Sequence, residues 1–290
     1  MIDRRQLLGG AAAASAALAA GAPAALASGR TRPDAAAALR ALEQGDARLG
    51  VCFLDTATGE VTGNRLEERF AFCSTFKLAL VGAVLREADA GRLSLAEVLP
   101  YGEADMLEWA PVTSKHLASG GMAIGALAQA AQEISDGTAA NLLVQRLGGP
   151  AGVTAKFREM GDSVTWLDRY EPMLGLVLSA DLRDTTTPLA MASLVARLTT
   201  GDLLAPSSRE RLIQWMVDTV TGSKRLRAGL PAQWRSGNKT GTGRATGTTN
   251  KVNDVAITFP PGRAPVIIAS YYDSAEFTEQ TEDRHQAVLA

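Results

Sequence analysis

The sequence has little cysteine and little histidine, with two of each among 290 residues. The histidines, His116 and His285, lie far apart and have no cysteine at a zinc-motif spacing, which argues against a metal site. In an exported chain Cys52 and Cys73 could form a disulfide. Because Cys52 falls within a predicted strand and a domain of this size needs no cross-link, we expect two buried free thiols.

The chain also lacks an excess of charge of either sign. Its net charge is −2, and no run of like charge or internal repeat is visible. A nucleic-acid partner is therefore not expected. With 46% hydrophobic and 21% charged residues, the composition is typical of a globular protein of one or two domains.

Residues 1–27 consist of a charged start followed by a long stretch without charge. Arg4 and Arg5 precede an Ala/Gly/Leu stretch, and an A-x-A site follows at 25–27, the order of a cleaved signal peptide. The arginine pair resembles a twin-arginine export signal, and a general secretory signal is the alternative. Pro23 argues against retention as a membrane anchor. We expect export to the periplasm or medium, with no stable membrane association after cleavage.

Strand patterns occur at both ends of the chain and helical patterns in the middle. Predicted helices cover 34–44, 74–90, 124–133, 138–147, 151–160, 188–199 and 207–217. Predicted strands cover 48–55, 60–64, 253–259 and 265–272. This order favours an α/β domain, 33–65 plus 218–290, with an antiparallel sheet and flanking helices, and an inserted all-α domain at 66–217. The final segment, 274–290, begins a helix that has no C-cap, as if cut short.

Ser74 and Lys77 begin the helical pattern that follows the first strands. Their i,i+3 spacing places an amine and a hydroxyl on one helix face. A neutral lysine can take a serine proton, and free N–H groups at a helix start can stabilise an oxyanion. For an isolated motif, a capping serine with a solvated lysine is the simpler interpretation.

Two further motifs carry hydroxyl and amine groups. Ser135 could relay a proton, and the alternative is a purely structural role in which the pair of Ser135 and Asp136 caps the next helix. Lys239 lies in K-T-G-T-G on a predicted edge strand, where Lys239, Thr240 and Thr242 could bind a carboxylate. An exposed lysine in a glycine-rich hairpin is the alternative.

An acidic loop is predicted at 169–184, where the composition fits no regular element. Long irregular loops are usually functional. Arg169 and Asp184 flank it and could pair to close its neck. Glu171, inside it, could act as a general base, whereas a solvated surface glutamate is the alternative.

Four motifs occur in order along the chain: S-x-x-K at 74–77, S-D-x at 135–137, E-P-x-L-x at 171–175 and K-T-G at 239–241. Together they resemble the class A serine β-lactamases. Segments 101–105 and 111–116 extend the resemblance over nearly all of the chain after the leader. It implies a β-lactamase/transpeptidase-like fold, a small-molecule β-lactam substrate, no cofactor and a monomeric enzyme.

The resemblance assigns a role to each candidate catalytic residue. Ser74 would attack the β-lactam carbonyl and form an acyl-enzyme, with the backbone N–H groups of Ser74 and Thr242 as the oxyanion hole. Ser135 would pass a proton to the ring nitrogen. Glu171 would activate the water that releases the product. Whether Lys77 or Glu171 is the base for acylation stays open.

The resemblance also implies how substrate is held. Lys239, Thr240 and Thr242 would bind its carboxylate. Arg225 resembles the alternative arginine that some members use, where others have one at the position of Thr248; an exposed loop cation is the other interpretation. Tyr101 would form an apolar wall at the mouth of the site, unless it is a core aromatic.

The sequence departs from the family at several positions. Gly137 removes an amide that could contact the substrate's acylamino group. Gly175 replaces an asparagine that helps to hold the deacylating water, so we expect slower turnover of some substrates. Asn238 replaces a common aspartate. Cys73 precedes the nucleophile as in some members of broad specificity, but its usual cysteine partner is Gly243 here, so carbapenem hydrolysis is suggested only weakly.

Two rival functions share the same nucleophile. A penicillin-binding D,D-peptidase would act on peptidoglycan and lack the acidic loop, so Glu171 argues against it. A non-hydrolysing β-lactam receptor would be acylated and remain so. Gly175 favours the receptor slightly, and Glu171 argues strongly against it.

Overall fold

The computed structural model describes residues 33–43, 45–177, 181–243, 249–274 and 285–290. The predicted signal peptide at 1–27 lies outside the described residues, as do Thr248 and most of the predicted final helix. Cys52 and Cys73 are buried and free, which confirms the prediction.

Most of the helices lie in the middle of the chain, and the long strands lie near its two ends. The α-helices are α1 Pro33–Ala41, α2 Phe76–Asp89, α3 Ile124–Glu133, α4 Gly137–Arg146, α5 Gly149–Glu159, α6 Pro188–Thr199, α7 Pro206–Val217 and α8 Leu226–Gly229. The strands are β1 Arg48–Asp55, β2 Val61–Asn64, β3 Phe70–Ala71, β4 Val98–Pro100, β5 Gly121–Ala123, β6 Thr185–Thr186, β7 Arg235–Gly243, β8 Asn250–Phe259 and β9 Val266–Ser274.

The main sheet has five antiparallel strands in the order β2-β1-β9-β8-β7. Strand β1 pairs with β9 over its whole length, from Arg48 opposite Asp273 to Asp55 opposite Val266. The sheet is thus built from both ends of the chain, and β7, which carries K-T-G, is an edge strand. The predicted fold class is confirmed; the predicted domain boundaries stay a prediction.

Helix α2 lies at the centre of the helical part. It contacts α3, α4, α5, α6 and α7, and Leu78, Leu80 and Leu85 are fully buried. A helix that is apolar on all sides is a core helix, and each buried leucine stabilises the fold by about 1.5–3 kcal/mol. Among the described residues, no helix has the length and hydropathy that a membrane span requires.

The predicted start of α2 at Ser74 is two residues early. Ser74 lies in a 3₁₀ turn, Cys73–Thr75, and α2 begins at Phe76. Cys73 has φ of +47°, in the left-handed region, and the Thr75 hydroxyl donates to the Phe72 carbonyl at 2.7 Å. The chain therefore turns sharply at the serine instead of entering the helix smoothly. Strand β8 also begins earlier than predicted, at Asn250.

A cluster of charges fixes the outer end of α2. Glu87 has a 7% exposed side chain and accepts two hydrogen bonds of 2.7 Å from Arg92. Lys156 of α5 lies 3.3 Å from the same carboxylate. Hydrogen bonds from Arg92 lower the pKa of Glu87 to about 2, against the effect of burial.

We expect Glu87→Gln to lower the free energy of unfolding by roughly 1 kcal/mol at neutral pH, because the ion pairs of a partly exposed cluster are lost. Since the folded state lowers this pKa, the stabilisation is present above the ordinary value of 4.5 and is lost as pH falls towards about 2. Urea unfolding across this pH range should therefore show the two proteins converging in acid. Glu67→Gln, at an exposed glutamate, is the control and should not show this convergence.

Candidate active site

The turn that carries Ser74 packs directly against strand β7. A Cβ atom at Gly241 would lie 2.7 Å from the Phe72 carbonyl oxygen and 3.1 Å from the Thr75 nitrogen. Only glycine permits so close an approach of two backbones. The edge strand is thereby held beside the partly buried Ser74.

Ser74, Glu171 and Lys77 form one hydrogen-bonded group. The Ser74 hydroxyl donates to Glu171 Oε1 at 2.9 Å. Lys77 Nζ lies 3.0 Å from the same oxygen, and its side chain is 2% exposed. The acceptor of the Ser74 hydroxyl is therefore the carboxylate of Glu171 and not the amine of Lys77.

Ser135 lies between the two buried lysines. Its Oγ is 3.3 Å from Lys77 Nζ and 3.0 Å from Lys239 Nζ. Lys77 also donates to the Ser135 carbonyl at 2.9 Å. Ser135 has φ of +62°, in the left-handed region that non-glycine residues rarely adopt. The structure thus brings together all four residues predicted to be catalytic, and Lys239 with them.

The charges of this group are set by burial and by each other. Burial alone would raise the pKa of Glu171, but the Lys77 ammonium and the hydrogen bonds from Lys77 and Ser74 hold that pKa below its usual value. Glu171 is therefore ionised at neutral pH. Burial, together with the charge of Lys77, lowers the pKa of Lys239 well below its usual value, and Glu171 opposes this shift.

The loop that presents Glu171 is closed at its neck, and the predicted pair of Arg169 and Asp184 is confirmed. Arg169 Nε donates to Asp184 Oδ2 at 2.5 Å. The other oxygen of this buried carboxylate accepts from the backbone N–H groups of Asp168 and Arg169 at 2.8 and 3.0 Å. Asp184 therefore fixes the course of the chain just before Glu171.

Asn141 also positions Glu171, and the sequence analysis missed it. Its Nδ2 donates to the Glu171 carbonyl at 2.9 Å, and its Oδ1 accepts from the Glu171 N–H at 3.0 Å. Asparagine within a helix such as α4 is intrinsically unfavourable. That was the available signal, because such a residue is often retained for its side-chain contacts.

Asp136 caps α4, which is the structural role that the sequence analysis gave as the alternative for the Ser/Asp pair. It accepts from the N–H of Ala139 at 2.9 Å. It also accepts from the N–H groups of Val112 and Thr113, both at 2.9 Å. One buried carboxylate thus joins the Ser135 turn to the segment that forms the opposite wall of the site.

A cavity of about 780 Å³ opens over Ser74. Its polar lining includes Thr240, Thr242 and Arg225. Arg225 is buried and donates to Thr242 Oγ1 at 2.7 Å and to the carbonyls of Gly241 and Asn253 at 3.0 and 2.7 Å. The alternative of an exposed loop cation is therefore wrong for Arg225.

Tyr101 does not form the wall of this cavity, so that prediction is wrong. Its ring is 6% exposed within the main core, and its hydroxyl donates to the Thr113 carbonyl at 2.7 Å. Trp109 lines the cavity instead and is 60% exposed. Its indole N–H donates to the Ile134 carbonyl at 3.1 Å. An aromatic whose hydroxyl finds a buried carbonyl packs inward, whereas Trp109 is tied to the rim.

The glycines that depart from the family differ in the space around them. At Gly175 no atom lies within 4 Å of an added Cβ, so a side chain fits. At Gly137 an added Cβ would lie 3.0 Å from Leu107 and 3.2 Å from the Trp109 carbonyl oxygen. At Gly243 it would lie 3.0 Å from Cys73 Sγ, whose thiol pKa is raised by burial to about 12.

Chemically, this arrangement suits acyl transfer. A serine hydroxyl is hydrogen-bonded to an ionised carboxylate, as expected for an activated nucleophile. A second serine lies between two amines, where it can relay a proton. Cationic and hydroxyl groups line one end of the cavity and suit an anionic substrate group.

Comparison with known proteins agrees with this chemistry. Residues 34–289 match the model of the β-lactamase enzyme family. A β-lactamase of Streptomyces lavendulae is 46% identical over 272 residues, covering 92% of this chain and 88% of the relative. β-Lactamase CTX-M-8 of Citrobacter amalonaticus is 41% identical over 253 residues, covering 87% and 84%.

Solved structures give the same result. An ancestral (GNCA) class A β-lactamase superposes with a TM-score of 0.83 at 47% identity, covering 88% of this chain and 95% of that one. A β-lactamase of Xanthomonas campestris has a TM-score of 0.82 at 42% identity, covering 88% and 94%. With the serine site in place and the match spanning both the sheet and the helices, the chain belongs to the class A serine β-lactamases, which hydrolyse β-lactam antibiotics.

Proposed function

We propose that hydrolysis proceeds through an acyl-enzyme on Ser74 and that Glu171 takes the serine proton. The observation that carries this is the 2.9 Å hydrogen bond from the Ser74 hydroxyl to Glu171 Oε1. As Ser74 Oγ bonds to the β-lactam carbonyl carbon, its proton moves to this carboxylate. Lys77, 3.0 Å from the same oxygen, stabilises the negative form of Glu171 beforehand.

The ring nitrogen leaves as its bond to the carbonyl carbon breaks, and it takes a proton from Ser135. The contacts of Ser135 Oγ with Lys77 and Lys239 support this role, because either amine can replace the lost proton. The backbone N–H groups of Ser74 and Thr242 stabilise the oxyanion. The close packing of β7 on the Ser74 turn supports their placement.

The substrate carboxylate is held at the end of the cavity that contains Thr240, Thr242 and Arg225, with the charge of Lys239 behind them. The bond from Arg225 to Thr242 supports this assignment, because the arginine donates to the Thr242 oxygen and leaves the hydroxyl hydrogen to donate to a carboxylate. Trp109 covers the apolar part of the substrate at the rim.

Glu171 passes the proton it has taken to Lys77, which replaces the proton that Ser135 gave to the ring nitrogen. The carboxylate so restored takes a proton from the water that attacks the ester carbonyl, and that proton returns to Ser74 Oγ as the ester bond breaks.

The experiment that tests the proposal uses Glu171→Gln with a chromogenic cephalosporin. The amide cannot take the water's proton, so we expect steady turnover to fall at least about 10²-fold. Mass spectrometry should show the variant trapped as an acyl-enzyme if Lys77 can serve acylation, or unmodified if Glu171 serves both steps.

The unchanged chain should complete many turnovers in the same assay. A single stoichiometric burst from it would indicate a non-hydrolysing receptor. Turnover of a D-Ala-D-Ala peptide with none of the cephalosporin would indicate a D,D-peptidase. Glu67→Gln is the matched control and should keep wild-type turnover.

Gly175→Asn should raise kcat for substrates whose deacylation is limiting, by roughly tenfold, because a second group then orients the water. The side chain has room, with no atom within 4 Å of its Cβ position. Stopped-flow measurement of acylation and deacylation separates the two steps. Gly102→Asn, at another glycine with open space, is the control; equal effects at both positions would contradict the assignment.

We also infer that residues 1–27 are removed and that the mature enzyme acts outside the cytoplasm as a monomer. The Arg4-Arg5 pair and the A-x-A site at 25–27 support this inference. The intact mass of protein recovered from the periplasm or medium should correspond to a chain that starts near Ser28. Recovery of the full-length mass would contradict cleavage.

A further inference from the structure

Asp254 is a buried carboxylate that the mechanism above does not use. It lies on β8, opposite Thr240 of β7, and its side chain is fully buried. Its Oδ1 accepts from Asn238 Nδ2 at 2.7 Å, and its Oδ2 accepts from the Leu226 N–H at 3.3 Å. The two partners belong to different segments of the chain.

Each partner is adjacent in sequence to a cation of the site. Asn238 precedes Lys239 on β7. Leu226 follows Arg225 at the start of α8. Asp254 therefore joins the two segments that carry the cations proposed to bind the substrate carboxylate.

Segment 219–229, here called the strap, also contacts β7 directly, through a 2.8 Å bond between the Thr221 and Thr240 hydroxyls and through the bonds of Arg225. Arg227 donates to the carbonyls of Thr219 and Thr221 at 2.9 and 2.8 Å. These bonds shape the strap internally, and the Thr221 carbonyl also accepts from Asn238 Nδ2 at 3.4 Å. The Asn238 Oδ1 is buried with no hydrogen-bond partner among the described residues, so this amide is oriented through its Nδ2, mainly by the shorter bond of 2.7 Å to Asp254.

We propose that Asp254 is a positioning residue that holds β7 and the strap at the separation required to bind the substrate carboxylate. The inference rests on the proposed function. Asp254 does not touch substrate, since it is fully buried and does not line the cavity. It acts through Asn238 and Leu226 on Lys239 and Arg225.

The electrostatics of Asp254 couple it to both cations. Burial raises its pKa to about 6, although Asn238, Arg225, the Leu226 N–H and Arg227 act in the opposite direction. On β7 the residue opposite Asp254 is the neutral Thr240, and Lys239 is opposite the neighbouring Val255. The charge of Asp254 nevertheless favours the ammonium form of Lys239. From β9, the residue opposite is the neutral Ser270. A protonated Asp254 would turn an O–H towards N–H donors and would no longer support these cations.

The test compares a chromogenic cephalosporin as its free acid with its methyl ester, which lacks the carboxylate. In Asp254→Asn we expect kcat/KM for the acid to fall roughly tenfold, because a charged hydrogen bond and its orientation are lost. The kcat/KM for the ester should change less than about twofold. Glu87→Gln, which removes an ion-paired carboxylate remote from the cavity, should leave the ratio of acid to ester unchanged.

The pH dependence of the wild-type enzyme provides a second measurement, which can be made even if the variant does not fold. Its ratio of kcat/KM for acid over ester should fall as pH is lowered through about 6, and Asp254→Asn should lack this inflection. A ratio that is constant with pH, or an equal loss for acid and ester in the variant, would overturn the inference. A wild-type chain that hydrolyses neither compound would instead overturn the proposed function, and this inference with it.

Discussion

Two lysines buried beside one serine are the constraint on which this site depends. Lys77 and Lys239 are both buried, and both reach the hydroxyl of Ser135. Charged amines in a dry interior lose their hydration and repel each other, which is why the pKa of Lys239 lies well below its usual value. The ionised carboxylate of Glu171 opposes this shift and lies 3.0 Å from Lys77 Nζ. The same carboxylate accepts the hydrogen bond of Ser74, so the group that balances the lysine charge is also the base beside the nucleophile.

The surrounding structure keeps that carboxylate in place. Glu171 belongs to a loop, and a loop has no ladder of hydrogen bonds to fix it. Asp184 fixes the neck of the loop through Arg169, and Asn141 holds the backbone of Glu171 from helix α4. On the far side of β7, Asp254 also favours the charge of Lys239. The site is therefore balanced by acids supplied from two separate parts of the chain.

Whether a contact could be predicted from the sequence depends on how far apart its residues lie along the chain. Ser74 and Lys77 are three residues apart, so local geometry brings them together. The pairing of Arg169 with Asp184 could also be predicted, because the two residues flank one irregular loop. Asn141 and Asp254 act on residues 30 and 16 positions away. No local pattern marks such contacts.

Tyr101 shows the same limit from the other direction. An aromatic residue near a site can face inward or outward, and only the packing of distant helices decides which. Its hydroxyl found the Thr113 carbonyl within the core, and Trp109 took the exposed position. The fold class was easier to predict, because strand patterns at both ends and helices between them leave few arrangements.

The pairing of β1 with β9 has a consequence for how the enzyme is made. Residue 48 lies opposite residue 273, so the centre of the sheet cannot close until almost all of the chain has emerged. The helices between them can form earlier, because each helix closes its own backbone hydrogen bonds locally. Until β9 arrives, the edge of β1 that it covers is unpaired, and an unpaired strand edge can pair with other chains. Addition of β9 therefore removes one site at which the nascent enzyme could aggregate.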